Sequence, residues 1–436
     1  MESEWQRLKL SDVGVSLIDC VHKTPADAGE GIPYIGIPQM KDGRIDFDAD
    51  PRLISEADYV EWTKKANPQA NDVVLSRRCN PGETAVVKAG EKFALGQNLV
   101  LLRAKTNAVF PGYLRWVTKG PEWWAQVGKF LNVGAVFDSL KCGDIPNFEL
   151  TIPPHSDQKA IAHILGTLDD KIELNRRMND TLESMAQALF KSWFVDFDPV
   201  IDNALAAGNP IPEPLRARAE TRRALGSQRK PLPDEIQKLL PDAFVFDNRM
   251  GWIPDTWTAG TLEDMVILQR GFDLPQRLRI DGEVPLMVAS GQDGTHNIPK
   301  VNGPGITTGR SGKLGVVNLV LRDFWPLNTT LWVKEYKNSS PYHALFLLQS
   351  LNLENFNSGS AVPTLNRNHV HNLSLPVPPK PIVKAHARIV EGLYEKILFN
   401  SEQSAFLAKL RDTLLPKLLS GELRIPDAEM LVADSL

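Results

Sequence analysis

Hydrophobic residues along this chain follow two different periods in alternating stretches. Short apolar runs bounded by Gly, Pro and Asn are typical of strands. Four of them are Asp72–Ser76, Asn98–Leu102, Gly315–Leu321 and Thr330–Lys334. Elsewhere apolar residues recur every three or four positions, which is typical of amphipathic helices. The pattern therefore predicts strand-rich regions that are each followed by one long helix.

The first long helix is predicted to begin after Pro153–Pro154, with Ser156–Asp157 as its N-cap. Its apolar stripe comprises Ile161, Ile164, Leu168, Ile172, Leu182, Met185 and Leu189. The stripe of the second comprises Ile389, Leu393, Ile397, Leu407, Leu410 and Leu414, and this helix is expected to end near Pro416 or soon after. Each helix would hold about 35 residues and extend roughly 50 Å.

The chain also contains an internal repeat. A shift of 225 residues places Gly134–Asn175 on Gly359–Asn400 without a gap. A shift of 252 residues places Trp5 on Trp257 near the start of each half, so the first half carries 27 more residues between these anchors. The halves share a framework and differ inside it, as expected for two related readers of different targets.

Asn175 and Asn400 occupy matching places in the two apolar stripes. A long helix with one apolar stripe needs a partner, and the other copy is the obvious one. A buried Asn in such a seam fixes the register of the pair. The alternative is that each helix lies on its own domain with the Asn exposed. Antiparallel pairing would place one globular domain at each end, related by a pseudo-twofold axis.

The predicted fold class is α+β: two strand-rich mixed α/β domains separated by a pair of long antiparallel coiled-coil helices, with a pseudo-twofold internal repeat. The predicted boundaries are 1–154 and 256–379 for the domains, 155–197 and 380–424 for the helices, 198–255 for a crossover linker and 425–436 for a tail. The linker contains the basic stretch Arg216–Arg223. This stretch is expected to be a solvated helix face, with phosphate contact as the alternative.

Composition points to an ordinary globular protein of 436 residues, 42% hydrophobic and 23% charged. No apolar run reaches the ~18 residues that a membrane span requires. The N-terminal segment lacks an apolar signal core, so export is not expected. The three cysteines (Cys20, Cys79 and Cys142) are far apart and form no CxxC pair, which favours a reducing cytoplasm.

The sequence contains none of the familiar catalytic motifs. GxxxxGK[ST], HExxH, GxGxxG and GxSxG do not occur. Amino-methylation of a base would need an Asn/Asp-Pro-Pro-aromatic step, and Asn67–Pro68 and Asn80–Pro81 lack the second proline and the ring. We therefore expect a non-catalytic binder with no cofactor and no metal of its own.

Four segments resemble those of a known family. Gln187–Pro199 and Lys409–Leu423 are similar to its central and C-terminal conserved segments, and Gly134–Leu140 and Gly359–Leu365 resemble the ends of its recognition domains. The chain thus resembles the specificity subunit of type I restriction–modification systems along essentially its whole length. In one departure, the first half has Phe137-Asp138 where the second has Val362-Pro363.

The resemblance implies that 1–154 and 256–379 are target recognition domains, each reading one half of a split, asymmetric site in double-stranded DNA. The helix pair would set the gap between the half-sites. It also implies two methyltransferase subunits that carry S-adenosylmethionine, separate motor–nuclease subunits that use ATP and Mg, and a cytoplasmic location without membrane contact.

Base reading requires Arg, Lys, Asn or Gln on loops. In the first domain the candidates are Arg77, Arg78 and Asn80 in a turn after an apolar strand, with Gln97 and Asn98 behind them. In the second they are Arg310, Ser311 and Lys313 in a glycine-rich loop whose backbone amides can approach phosphate. The alternative is that these are ordinary surface turns. A net charge of −4 predicts that the chain alone binds DNA weakly.

Two other functions remain open. One is a non-catalytic protein-interaction scaffold built on a two-domain coiled-coil spacer, which would need loops without basic character. The other is an enzyme with an unfamiliar site. Methylation by the isolated chain distinguishes the enzyme from a specificity subunit, which acts only with its partners.

Overall fold

The computed structural model describes residues 5–134, 137–228, 231–359 and 361–436. The chain forms two compact units. The first comprises Met1–Arg176 and Ser401–Leu436, and the second comprises Arg177–Asn400. The division falls inside both long helices, His155–Phe190 and Lys380–Ser420, so each unit contains part of each helix.

A four-stranded antiparallel sheet is the centre of the first unit. Its strands, in spatial order, are Val15–Asp19, Leu99–Ala104, Val73–Ser76 and Thr84–Val86. A three-stranded sheet contains Arg52–Ile54, Ile32–Ile35 and Ala94–Leu95, and two-stranded sheets pair Gln6–Lys9 with Glu149–Ile152 and Met40–Lys41 with Arg44–Ile45. Short helices are Glu56–Thr63, Pro111–Val117 and Pro121–Phe130, with 3-10 turns at Ile37–Gln39 and Ile145–Asn147.

The second unit has an equivalent set of sheets. Its four-stranded sheet contains Val266–Arg270, Thr330–Tyr336, Gly305–Gly309 and Val317–Val320. The three-stranded sheet contains Gly291–His296, Val284–Val288 and Trp325–Pro326, and Thr258–Thr261 pairs with Ser374–Val377. Its helices in this region are Leu262–Met265, Pro341–Ser350 and Arg367–His371, with 3-10 turns at Gln276–Leu278 and Leu353–Phe356.

The two central sheets are also equivalent in strand register. In the first unit Val100 pairs with Asp19 on one side and with Leu75 on the other. In the second, Leu331 pairs in the same way with Arg270 and Thr308. The internal repeat therefore extends through the interior of the units, where the sequences show no ungapped match.

Segments of the two long helices pack together inside each unit. In the first, Asn175 Nδ2 donates to Ser404 Oγ (3.3 Å) and Gln403 Oε1 (2.9 Å). In the second, Asn400 Nδ2 donates to Asn179 Oδ1 (2.9 Å). Asn175 and Asn400 are both 1% exposed, so the alternative with exposed asparagines is wrong.

The two segments run antiparallel within each unit. Asp169 pairs with Arg411 and Asn175 contacts Gln403, so residue numbers increase along one helix in the direction in which they decrease along the other. In the second unit Asn179 contacts Asn400 and the Phe190 ring lies 6.0 Å from that of His386. With two strand-rich units and two long helices, the predicted α+β fold class is confirmed.

The predicted N-cap of the first long helix is wrong. The helix begins at His155, and the Gln158 amide donates to the Pro154 carbonyl, so Ser156 and Asp157 lie in the first turn. Ser156 Oγ bonds the neighbouring Asp157 carboxylate instead of a free backbone amide. The second helix continues through Pro416 to Ser420.

Residues 198–255 are built from several short elements. These are the helices Asp198–Ala207, Arg216–Ala224 and Asp234–Gln237, the 3-10 turns Glu213–Leu215 and Gly226–Gln228, and the hairpin Phe244–Asp247 with Gly251–Pro254. A π-helical turn at Lys191–Val195 precedes them. Near the C-terminus, helix Ile425–Ala433 packs Ala428 and Val432 into the core of the first unit. Among the described residues, no helix combines the length and hydropathy needed for a membrane span.

Candidate nucleic-acid interface

Arg77 follows directly after the strand Val73–Ser76 of the first unit and is fixed through its backbone. Its amide donates to the Asn98 carbonyl (3.1 Å), and its carbonyl accepts from the Leu140 amide (2.8 Å). These bonds join three distant parts of the chain: the strand end, the turn before Leu99–Ala104 and the end of the domain. The backbone at Arg77 is therefore held independently of its side chain.

Arg310 occupies the same position in the second unit. It follows directly after the strand Gly305–Gly309, its amide donates to the Thr329 carbonyl (2.9 Å), and its carbonyl accepts from the Leu365 amide (2.8 Å). Leu140 and Leu365 are themselves partners in the sequence repeat. The framework thus presents one arginine at the same structural position in each unit.

A close backbone approach completes this framework in both units. A Cβ added to Gly134 would lie 2.3 Å from the Phe137 carbonyl oxygen, and one added to Gly359 would lie 2.0 Å from that of Val362. Only glycine fits such a turn, since real Cβ atoms do not approach oxygen so closely. The same packing occurs with Phe137 and with Val362, although the two segments differ in sequence. Residues 135, 136 and 360 of these segments lie outside the described residues.

The Arg77 side chain belongs to a polar cluster that the sequence did not predict. Its Nη2 lies 3.4 Å from Nδ1 of His22. This Nδ1 also lies 3.3 Å from the Gln97 carbonyl oxygen. Nε2 of His22 lies 2.9 Å from Oδ2 of Asp19. The Arg77 Nε is buried and has no hydrogen-bond partner within the described part of the chain. Strand pairing brings His22 and Asp19 to this cluster, and no local motif marks them.

The remaining candidates of the first unit surround Arg77. The Arg78 guanidinium lies over the Phe137 ring, 5.5 Å from its centroid. The backbone N–H of the exposed Asn80 donates to the Arg78 carbonyl (2.8 Å). Asn80 also lines an open cleft of about 390 Å³. Gln97 and Asn98 line a second cleft of about 220 Å³. The structure therefore brings all five predicted residues of this unit together.

In the second unit a comparable cluster surrounds Arg310. Arg310 Nη1 donates to the Asn328 carbonyl (3.3 Å), and Asn328 Nδ2 donates to Oδ1 of Asp273. Asp273 also accepts from Arg270 Nη2 at 3.2 and 3.3 Å. The sequence did not identify Arg270, Asp273 or Asn328, because Arg270 ends a strand, the other two lie in loops, and only sheet formation brings the three together.

Ser311 and Lys313 follow Arg310 in the glycine-rich loop. The Ser311 amide shares the Thr329 carbonyl with Arg310 (3.1 Å), and Lys313 is exposed. The Lys313 carbonyl packs against Gly309, where a Cβ would lie 1.8 Å from it. The loop therefore folds back on its own strand, with the Lys313 side chain exposed at its surface.

Asp19, Cys20 and His22 bring three possible metal-ligand atoms within 4.8 Å of one another. Burial raises the pKa of the Cys20 thiol to about 11, and its Sγ donates to the Gly96 carbonyl (3.4 Å). The thiolate that a metal requires is therefore disfavoured. The adjacent Arg77 cation also opposes a metal ion, so these residues fit a hydrogen-bonded cluster better than a metal site.

The basic stretch of the crossover is largely neutralised. Arg218 forms a bidentate pair with Asp198 (2.6 and 2.7 Å), and Arg222 pairs with Asp202 (Nε–Oδ1 3.0 Å). These two arginines brace one helix of the crossover against another and are not available to phosphate. Paired arginines in this segment favour a structural role.

Each unit thus has an arginine clamped at a strand end and surrounded by polar side chains from two other loops. Such a cluster can donate and accept hydrogen bonds in a fixed geometry, which is what reading the edges of bases requires. The chain thus contains two related units that share a framework and differ in the side chains around the arginine.

The matching family model is described as "Type I restriction modification DNA specificity domain", and it covers residues 2–184 and 254–407. The chain belongs to this family. It is similar to the type I restriction enzyme MjaIX specificity subunit of Methanocaldococcus jannaschii, with 25% identity over 451 residues, 97% of this chain and 94% of that protein. It is also similar to the HindI specificity subunit of Haemophilus influenzae, with 25% identity over 396 residues, which cover 76% of this chain and 82% of that protein.

A solved structure shares the fold. The crystal structure of a type I restriction–modification system S subunit from M. genitalium matches with a TM-score of 0.55 and 16% identity over 95% of this chain and 96% of that one. The resemblance inferred from the conserved segments is confirmed.

Proposed function

We propose that this chain is the non-catalytic specificity subunit of a type I restriction–modification complex, and that its two units read the two halves of a split, asymmetric site in double-stranded DNA. The observation that carries the proposal is the clamped arginine, Arg77 in one unit and Arg310 in the other, held by equivalent backbone bonds. The clusters around the arginines differ, which suits two different half-sites.

The partners follow from membership of the family. Two methyltransferase subunits carrying S-adenosylmethionine would modify the site, and motor–nuclease subunits using ATP and Mg would cleave unmodified DNA. The chain itself would hold none of these cofactors. Its net charge of −4 implies that the partners supply much of the positive surface that DNA binding needs. The chain would act in the cytoplasm.

Methylome sequencing tests the proposal. A host without methylation would express the chain together with its methyltransferase partner, and in parallel the partner alone. We expect a split, asymmetric methylated motif only when the chain is present. A stable complex that produces no new motif would instead favour a protein-interaction scaffold. Methylation by the isolated chain would favour an enzyme.

The long helices should set the gap between the half-sites. One heptad inserted into each helix, between Asn175 and Asn179 and between Asn400 and Gln403, keeps Asn175 beside Gln403 and Asn179 beside Asn400. A seven-residue insertion also keeps the apolar seam facing its partner. We expect the methylated motif to keep both half-sites and to change its spacing, because a longer spacer between two readers suits half-sites at a different separation along the DNA. Methylome sequencing measures the gap, and an unchanged spacing would refute the role of the helices as a ruler.

A further inference from the structure

We propose that Asn328 reads an adenine in the half-site recognised by the second unit, and that Asp273 is the positioning residue that orients its amide. This inference rests on the proposed function and assigns two residues that the sequence did not identify. The geometry points to it because Asn328 lies beside the clamped Arg310, to which its carbonyl is hydrogen-bonded (3.3 Å).

The contact with Asp273 determines which way the Asn328 amide faces. An ionised carboxylate only accepts hydrogen bonds, so the group of Asn328 that faces it must be the NH2, and Nδ2 does donate to Oδ1 of Asp273. One N–H of Nδ2 and the oxygen Oδ1 then remain for a ligand. The carboxylate thereby excludes the flipped amide.

Adenine has the edge that matches this arrangement. In the major groove it presents N7 as an acceptor and N6–H2 as a donor, and an asparagine amide pairs with both at once. The remaining N–H of Asn328 would donate to N7, and Oδ1 would accept from N6. Guanine presents two acceptors there and leaves Oδ1 without a donor, so the amide discriminates between the purines.

Asp273 is an unusual residue for a DNA-facing surface, because a carboxylate repels phosphate. Its side chain is 62% exposed and is paired with Arg270, whose Nη2 donates to both of its oxygens. The ion pair offsets the charge and fixes the position of the carboxylate. The contact with the Asn328 amide gives a physical reason for a negative group at this position.

The first unit has different side chains at the equivalent positions. By strand register, Asp273 corresponds to His22 and Asn328 corresponds to Gln97, since Arg270 pairs with Leu331 as Asp19 pairs with Val100. In that unit His22 contacts the Gln97 carbonyl, and no carboxylate of the described residues is hydrogen-bonded to the Gln97 side chain. Equivalent positions with different chemistry can select different bases on one framework.

The test uses the chain assembled with its methyltransferase partner and duplex libraries in which each half-site found by methylome sequencing is varied one base pair at a time. Asn328→Ala should lower discrimination for adenine at one position of one half-site by about 5- to 150-fold, the range of a bidentate contact. The other half-site serves as the internal control and should be read unchanged.

Asp273→Asn separates positioning from support of the fold. The variant amide can donate as well as accept, so Asn328 can face the DNA with either group and adenine discrimination falls. Total affinity should stay equal or rise, because one repulsive charge is lost. A merely structural residue would lower affinity and leave the base preference intact. Asp293→Asn is the matched control, since Asp293 is an exposed carboxylate (66%) of the same unit at 3.9 Å from Arg279.

The outcomes distinguish this inference from the function on which it rests. If the wild-type complex yields no split motif, the proposed function fails, and the inference fails with it. If the wild-type motif is found but Asn328→Ala keeps every base preference, the inference alone is overturned. Loss of affinity without loss of discrimination in Asp273→Asn would overturn the positioning role of Asp273.

Discussion

Arg310→Ala should reduce DNA methylation by the assembled complex about 5- to 150-fold at limiting enzyme, because one bidentate arginine–guanine contact provides about 1–3 kcal/mol of discrimination. Assembly should be unaffected, since the backbone bonds of Arg310 to Thr329 and Leu365 do not involve its side chain. Arg77→Ala should have an effect of similar size through the other half-site. The measurement is the initial rate of methyl transfer to a duplex that carries the complete site.

Arg310→Lys identifies what the guanidinium does. Lysine keeps the charge and loses the planar fork, so a base-reading arginine loses most of its effect in this variant, whereas a phosphate contact survives. Arg216→Ala is the control, because Arg216 is an exposed arginine of the crossover paired only at the surface with Glu213. Normal methylation by both Arg310 variants, in a complex of normal composition, would remove Arg310 from the interface.

The two substitutions also test whether the units act independently. Contacts that share no partner usually combine additively in free energy. The double variant Arg77→Ala with Arg310→Ala should therefore show the product of the two fold-losses. A double variant no worse than either single variant would mean that the complex needs both half-sites before it responds to either.

The repeat shows where sequence reasoning succeeds and where it stops. Gly134–Asn175 and Gly359–Asn400 match without gaps because the end of each domain and the start of each helix pack alike. The interiors match only in strand register. The hairpin around Met40–Lys41 and the helix Glu56–Thr63 lie in the first unit where the second has shorter connections, and such insertions hide equivalent positions from ungapped comparison.

In the candidate interface, too, the sequence predicted some residues and missed others. Arg77 stands out because it lies in a turn after an apolar strand, and Arg310 because it lies in a glycine-rich loop. Both of these signals are local. His22, Asp273 and Asn328 carry no local signal, because long-range strand pairing alone brings them to the arginines. Asn175 and Asn400 were predicted in part. Their place in the apolar stripes predicted that they are buried, but their partners Ser404 and Asn179 depend on how the two helices pair.

A pair of buried histidines should make the second unit sensitive to mild acid. Among the described residues, neither nitrogen of the fully buried His386 has a hydrogen-bond partner. Its ring lies 5.0 Å from Phe194, 5.8 Å from Trp193 and 6.1 Å from His343. Burial lowers the pKa of His343 to about 3. Burial, reinforced by the neighbouring His343, also holds the pKa of His386 well below its ordinary value.

Because both pKa values are lowered on folding, the unfolded chain binds more protons than the native protein below the ordinary histidine pKa of about 6.5. The stability is therefore fully present above pH 6.5 and is lost as the pH falls toward the native pKa values. For His343 alone, lowering the pH from 7 to 5 should cost about 2 kcal/mol of unfolding free energy, at about 1.4 kcal/mol per pH unit below 6.5. Urea unfolding of the second unit at several pH values measures this loss.

His386→Leu should raise the unfolding free energy at pH 7 by about 1–2 kcal/mol, because it replaces an unsatisfied buried polar ring with an apolar side chain of similar size. The variant has one titrating group fewer, so its stability should also fall less steeply between pH 7 and pH 5. His369→Gln is the matched control, since His369 is an exposed histidine of the same unit and should leave the slope unchanged. If His386→Leu keeps the wild-type slope, protonation of this buried ring does not cause the loss of stability in acid.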